Sequence, residues 1–226
     1  MQHPRFDLYA GIHKALRSFM ADTLTALGRL DSDDAVERAA VLAQLDALLD
    51  LLEHHACIED EFIHPAMRMR APGSERRCGE EHDRQRAAIR ELRRKATALE
   101  SAGVGRAEAA RGLYRDLALA VAENFAHMHE EETAHNAVLW SVFSDDELAS
   151  INDRIVASLA PEEAAQVMRW MAPSLTPVER AALFGALRAK APSAAFQRLL
   201  EAAREQLSLG DWNKLVAAIA AGPVVV

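Results

Sequence analysis

The chain has 226 residues, half of them hydrophobic yet only 5% aromatic, with a formal net charge of −8. Strong helix formers dominate and strand-filling residues are scarce, which argues against all-β and doubly wound folds. The acidic balance speaks against a nucleic-acid surface, and two cysteines cannot build a disulfide framework.

Apolar residues recur at three- and four-residue spacing almost throughout, the mark of amphipathic helices. A first helix is expected over 4–29, with Phe6, Tyr9, His13, Leu16, Met20, Thr23 and Leu27 on one face. Asp31-Ser32-Asp33-Asp34 supplies cap chemistry for a second, which runs to about residue 69. Its seam reads Val41, Leu45, Leu48, Leu52, His55, Glu59, Phe62, Ala66, Met69. A turn around Pro72-Gly73 leads to a third helix over 75–100, with seam Cys78, His82, Gln85, Ile89, Leu92, Ala96 and Leu99. Gly103 and Gly105 end it. A fourth, over 106–143, has Leu113, Leu117, Ala120, Asn124, His127, Glu131, Ala134 and Val138 on its seam. Residues 1–143 therefore predict an all-α, up-down-up-down four-helix bundle. Over 144–226, Pro161, Pro173, Pro177, Pro192 and Gly210 divide the chain into an appendage of short helices. Two of these open on capping boxes, Ser144-Asp145-Asp146-Glu147 and Thr176-Pro177-Val178-Glu179. Residues 222–226 read as a frayed tail.

All nine histidines lie at or before position 135. The four seams change from apolar residues to histidine, and in two helices also to carboxylate: His13, His55 with Glu59, His82, and His127 with Glu131. The i to i+4 spacing of both pairs stacks imidazole and carboxylate on one helix face. In an up-down bundle His13, Glu59, His82 and Glu131 lie roughly 10 to 18 Å from one shared end, with His55 and His127 one turn deeper, so the seams meet at one level. A lone seam histidine is ordinarily a hydrogen-bonded core residue. Six polar groups in one layer, with no basic partner except Arg17 or Arg86, instead call for a cation, because a buried carboxylate is costly unless paired. Carboxylates can bridge two ions while imidazoles fill terminal positions. His54 and His129 are expected beside the seam or in solvent, His3 and His64 at the periphery, and His135 near the mouth.

The run Glu53-His54-His55-Ala56-Cys57-Ile58-Glu59-Asp60-Glu61-Phe62-Ile63-His64-Pro65 resembles the second-helix signature of the hemerythrin-like, or HHE cation-binding, domain. His13, Glu81-His82-Asp83 and His127 to Glu131 fall in that family's other ligand slots, so the resemblance covers roughly 5–143. It implies a non-haem di-iron centre of two iron ions, bridged by Glu59 and Glu131, with His13, His55, His82 and His127 terminal. Oxygen-carrying hemerythrins place a second histidine on the third helix and end in His-x-x-x-x-Asp. Here Cys78 and Arg86 flank His82 at four residues, and Glu131 follows His127 at four. The chain thus looks closer to the regulatory and iron-handling branch. The missing fifth histidine leaves a position for solvent or Cys78.

The resemblance implies binding of O2 or NO at an open iron position, for sensing, storage or signalling. Two alternatives stay open: iron handling with iron–sulfur repair, and an enzyme reducing O2 or peroxide. A histidine-rich site favours binding, since ferritin-like oxidases use more carboxylates. The N-terminal residues lack the apolar run of a signal peptide, and no uncharged stretch is long enough to span a membrane, so a cytoplasmic protein is expected. Residues 144–226 have two open readings: a gate near the mouth, or a stabilising cap or surface for a homodimer or protein partner.

Overall fold

Helices carry most of residues 5–221, the part described by the computed structural model, and no strand occurs among them. His3 and the tail expected at 222–226 lie outside the described residues. The first helix, α1, spans Ala10–Arg29. The next, α2, spans Ala35–Ile58, and the carboxylate of Asp34 caps it by accepting from the backbone N–H groups of Val36 and Glu37. It runs through a π-helical turn, Glu59–Ile63, into α3, His64–Arg70. After a turn in which Gly73 adopts a φ of 92°, α4 spans Arg76–Ser101. Then α5, Arg106–Glu130, passes through a second π-helical turn, Glu131–His135, into α6, Asn136–Val142. Ser144 and Glu147 form the expected reciprocal cap, at 2.9 and 3.3 Å, before α7, Asp145–Ser158.

The two π-turns have local causes. Pro65 has no N–H, and its ring crowds the carbonyl four residues earlier, so the α ladder cannot pass through it. The His64 N–H bonds the Glu59 carbonyl five residues back instead. In the second turn the Thr133 hydroxyl donates to the His129 carbonyl at 2.6 Å, and the Asn136 amide donates to the Glu132 carbonyl at 3.3 Å. These side chains take carbonyls from the ladder, and the Asn136 N–H reaches Glu131 five residues back. Each turn inserts one extra residue, so the buried face moves one position downstream of it. Where unbroken α periodicity predicts Phe62, Ala66 and Met69 on the seam, the buried residues are Ile63, His64 and Met67, and Met69 is 79% exposed. Where it predicts Ala134 and Val138, the buried residues are His135, Asn136 and Leu139.

Packing divides the chain into two units. The first comprises residues 5–9 and Phe19–Ile155; the second comprises Ala10–Ser18 and 156–221, so α1 contributes to both. In the first unit, Met20, Leu49, Leu52, Ile89, Leu92, Leu117 and Val121 close on one small apolar void, which gives α1, α2, α4 and α5 a common core in a helical bundle. The sequence reading places α7 in the appendage, but its Leu148 and Ile151 pack with Tyr9, Ile63, Met67 and Leu139 of the first unit.

The second unit adds α8 (Pro161–Ser174), α9 (Pro177–Lys190), α10 (Ser193–Gln206) and α11 (Leu209–Ala221). They start every sixteenth residue, a regularity not read from the sequence. The expected cap at Thr176 forms, with its N–H on Glu179 at 2.8 Å and its hydroxyl taking the Glu179 N–H at 3.3 Å. The main packing joins α8 to α10 and α9 to α11. Met168, Ala172, Phe184, Phe196, Ala203, Leu207 and Leu215 form the core. Arg180, 3% exposed, donates to the Ala172 and Leu175 carbonyls at 2.6 and 2.8 Å and so satisfies the end of α8. No helix among the described residues is long and apolar enough to cross a membrane.

Candidate metal centre

Glu59 and Glu131 each open a π-turn, and each follows a histidine by four residues on a continuous helix. Both carboxylates are buried, 1% and 0% exposed. Around them the first unit gathers five of the six residues singled out by sequence: His55, Glu59, His82, His127 and Glu131. One donor atom from each of Glu59, His82, His127 and Glu131 lies within 4.8 Å of the others. The Nε2 atoms of His82 and His127 are 3.1 Å apart. His82 Nε2 lies 3.1 Å from Glu59 Oε2 and 3.8 Å from Glu131 Oε1, and His127 Nε2 lies 3.1 Å from Glu131 Oε1. The other oxygen of Glu59, Oε1, faces His55 Nε2 at 3.1 Å. One carboxylate thus presents its two oxygens to imidazoles from two different helices. The sixth residue, His13, is fully buried on α1, in the stretch that goes with the second unit.

The far side of each ring explains its orientation. His82 Nδ1 donates to Asp60 Oδ1 at 2.9 Å, and His127 Nδ1 donates to Glu81 Oε2 at 2.8 Å. Arg86 holds the other oxygen of Asp60, while Arg77 bonds Glu81 at 3.2 Å. A ring whose Nδ1 hydrogen is committed to a carboxylate turns the bare lone pair of Nε2 toward the centre, the arrangement that metal-bound histidines use. Sequence reasoning passed over Asp60 and Glu81. Their signal was adjacency, since Asp60 follows Glu59 and Glu81 precedes His82.

The electrostatics point the same way. Burial works against a charged His82, yet its contacts with Glu131 and Glu59 carry it up to about 10. His127 is likewise raised against its burial, by Glu131 and then Glu81. Two buried carboxylates therefore hold positive charge between them, which a cation can supply in place of protons. Burial works to raise Asp60 and Glu81, but hydrogen bonds outweigh it: Arg86 and His82 lower the first, His127 and Arg77 the second. Burial, and then the neighbouring Glu131, push the Cys78 thiol far above its ordinary range, so this fully buried residue behaves as a small apolar group.

Two expectations change. His64, expected at the periphery, is 3% exposed, with Nδ1 on Asp60 Oδ1 at 2.9 Å and its ring stacked on His82 at 5.1 Å. His135, expected near the mouth, is equally buried, and its Nδ1 is 3.4 Å from the Tyr9 hydroxyl. Burial holds both imidazoles below their ordinary range. His129 is exposed and His54 half-buried, as expected.

The residues fit a metal. Two buried carboxylates face imidazole lone pairs, and each nitrogen on the far side of His82 and His127 is fixed by a carboxylate of its own. Compared with known proteins, residues 6–136 match the model of a family described as the hemerythrin HHE cation-binding domain. No curated protein and no solved structure gives a significant match.

Proposed function

The chain belongs to the hemerythrin HHE cation-binding domain family, and from that premise we propose that it is a non-haem di-iron protein binding O2 or NO for sensing, storage or signalling. Glu59 and Glu131, with His13, His55, His82 and His127, would hold the two iron ions. The observation that carries this reading is the split of Glu59, whose Oε1 faces His55 while its Oε2 faces His82. Bound iron would supply a redox-active Lewis acid for such a ligand.

The chain's own residues do the rest. Glu59 and Glu131 neutralise the cations, and Asp60 and Glu81 fix the rings that donate to them. The balance of at least three imidazoles against two carboxylates favours reversible ligand binding over oxidation. In this reading the bundle runs up-down-up-down, and residues 144–226, which carry neither histidine nor cysteine, offer a surface to a second copy or another protein.

Anaerobic reconstitution with ferrous iron tests the reading. Two irons per chain are expected, with less in Glu59→Ala and Glu131→Ala and an optical change on adding O2 or NO. Metal content far below this, unaltered by either substitution in a folded protein, refutes it. Rapid loss of iron to a chelator favours iron handling, and catalytic consumption of peroxide favours an enzyme.

A further inference from the structure

We propose that His64 supplies the fifth imidazole ligand of the centre. The proposal rests on the di-metal reading above and adds to it a residue that α periodicity places off the seam.

Four observations converge on this residue. His64 is 3% exposed, and its Nε2 is buried with no hydrogen-bond partner among the described residues. Leaving such an atom unsatisfied costs about 1–3 kcal/mol, so a histidine kept only for packing would be expected to find a partner. Its Nδ1 is anchored on Asp60 Oδ1 at 2.9 Å, the same oxygen that anchors His82 Nδ1. The two rings stack 5.1 Å apart and only 13° from parallel. Anchored alike, both rings turn their remaining nitrogen away from Asp60. Finally, a donor atom of His64 lies within 4.8 Å of one of Glu131, a buried carboxylate of the centre. Donors about 2.0–2.2 Å from one ion lie no more than roughly 4.4 Å apart, so this imidazole and this carboxylate can share a cation with little movement.

His135 is the natural control. It is as buried as His64, and its Nε2 also lacks a partner among the described residues. Its Nδ1, however, faces the phenol of Tyr9 at 3.4 Å and not a carboxylate. Carboxylate anchoring is what His64 shares with His82 and His127. The helix supplies the means. Without the π-turn, the seam beyond Glu59 would present Phe62 and Ala66, neither of which can ligate.

Cobalt(II) is the probe, because each imidazole bound to it carries one ring N–H with a strongly shifted, exchangeable proton signal. The unmodified full-length chain is loaded with cobalt(II), its metal counted, and these signals counted by NMR in light water. Five such signals are expected, one of which disappears in His64→Gln. That substitution also lowers cobalt affinity about tenfold or more in chelator competition, while His135→Gln keeps all five signals. Four signals in the unmodified protein, or five that all survive His64→Gln with unchanged affinity, overturn the assignment while leaving the di-metal reading intact. Failure of the unmodified chain to take up cobalt overturns both. The count on the unmodified chain makes the test independent of whether any variant folds.

Discussion

Asp60 offers the sharpest test of how the centre is held. Its Oδ1 accepts from His82 and His64 at 2.9 Å each, and its Oδ2 is bound by Arg86. Asp60→Asn preserves size but replaces one oxygen with an N–H2 group. Pointed at Arg86, that group opposes donor to donor. Turned the other way, it forces the rings to accept at Nδ1, which moves their hydrogens to Nε2 and removes the lone pairs aimed at the metal. Loss of one such outer partner typically weakens metal binding 10- to 100-fold. Because two rings hang on the same oxygen, the upper half of that range is expected, about 2–3 kcal/mol at roughly 1.4 kcal/mol per tenfold. Ferrous iron affinity is measured anaerobically by chelator competition, with circular dichroism to verify the helices. Asp83→Asn, at an exposed neighbour of Arg86, is the control. An affinity within twofold of the unmodified protein, in a folded Asp60→Asn variant, refutes the role given to this carboxylate.

Arg180→Met keeps bulk but leaves the Ala172 and Leu175 carbonyls without their donor, so urea denaturation is expected to show a loss of about 2–5 kcal/mol; less than about 1 kcal/mol contradicts it. Leu113→Ala, at a fully buried position on α5, is expected to cost about 2–5 kcal/mol by the same assay, and a loss under about 1 kcal/mol removes this side chain from the core. Arg70, and then the Ser144 N–H, hold Glu147 down at about 2 in the folded chain. A depressed carboxylate stabilises above its unfolded value near 4.5 and loses that contribution as pH falls toward 2. Glu147→Gln should therefore flatten the fall in stability over that window, and an unchanged slope counts against the pairing with Arg70.

The sequence was most legible where the helix was regular. On α1 the face running through Tyr9, His13, Leu16, Met20, Thr23 and Leu27 is buried as its spacing predicts, and the caps at Asp34, Ser144 and Thr176 form where their side chains announce them. Periodicity also brought His55, Glu59, His82, His127 and Glu131 to one layer. It failed at the next seam position after each buried carboxylate, by one residue, because a 3.6-residue rule cannot count through a turn of different pitch. Pro65 was a visible warning in the first case. Thr133 and Asn136 carried a fainter one, since their competition with backbone carbonyls becomes apparent only once the helix is built. Asp60 and Glu81 were missed for another reason: they act on the rings and not on the centre, and spacing along one helix does not report partners on another.

The sixteen-residue spacing of the second unit has a consequence of its own. Where each helix leans on the next but one, the chain is laid down as two interleaved rows, like a short solenoid. In such an array damage is local but depends on parity. Loss of α11 alone takes the main partner from α9, whereas loss of α10 and α11 together takes the main partners from both α8 and α9. A stable second unit therefore needs both members of each row, α8 with α10 and α9 with α11.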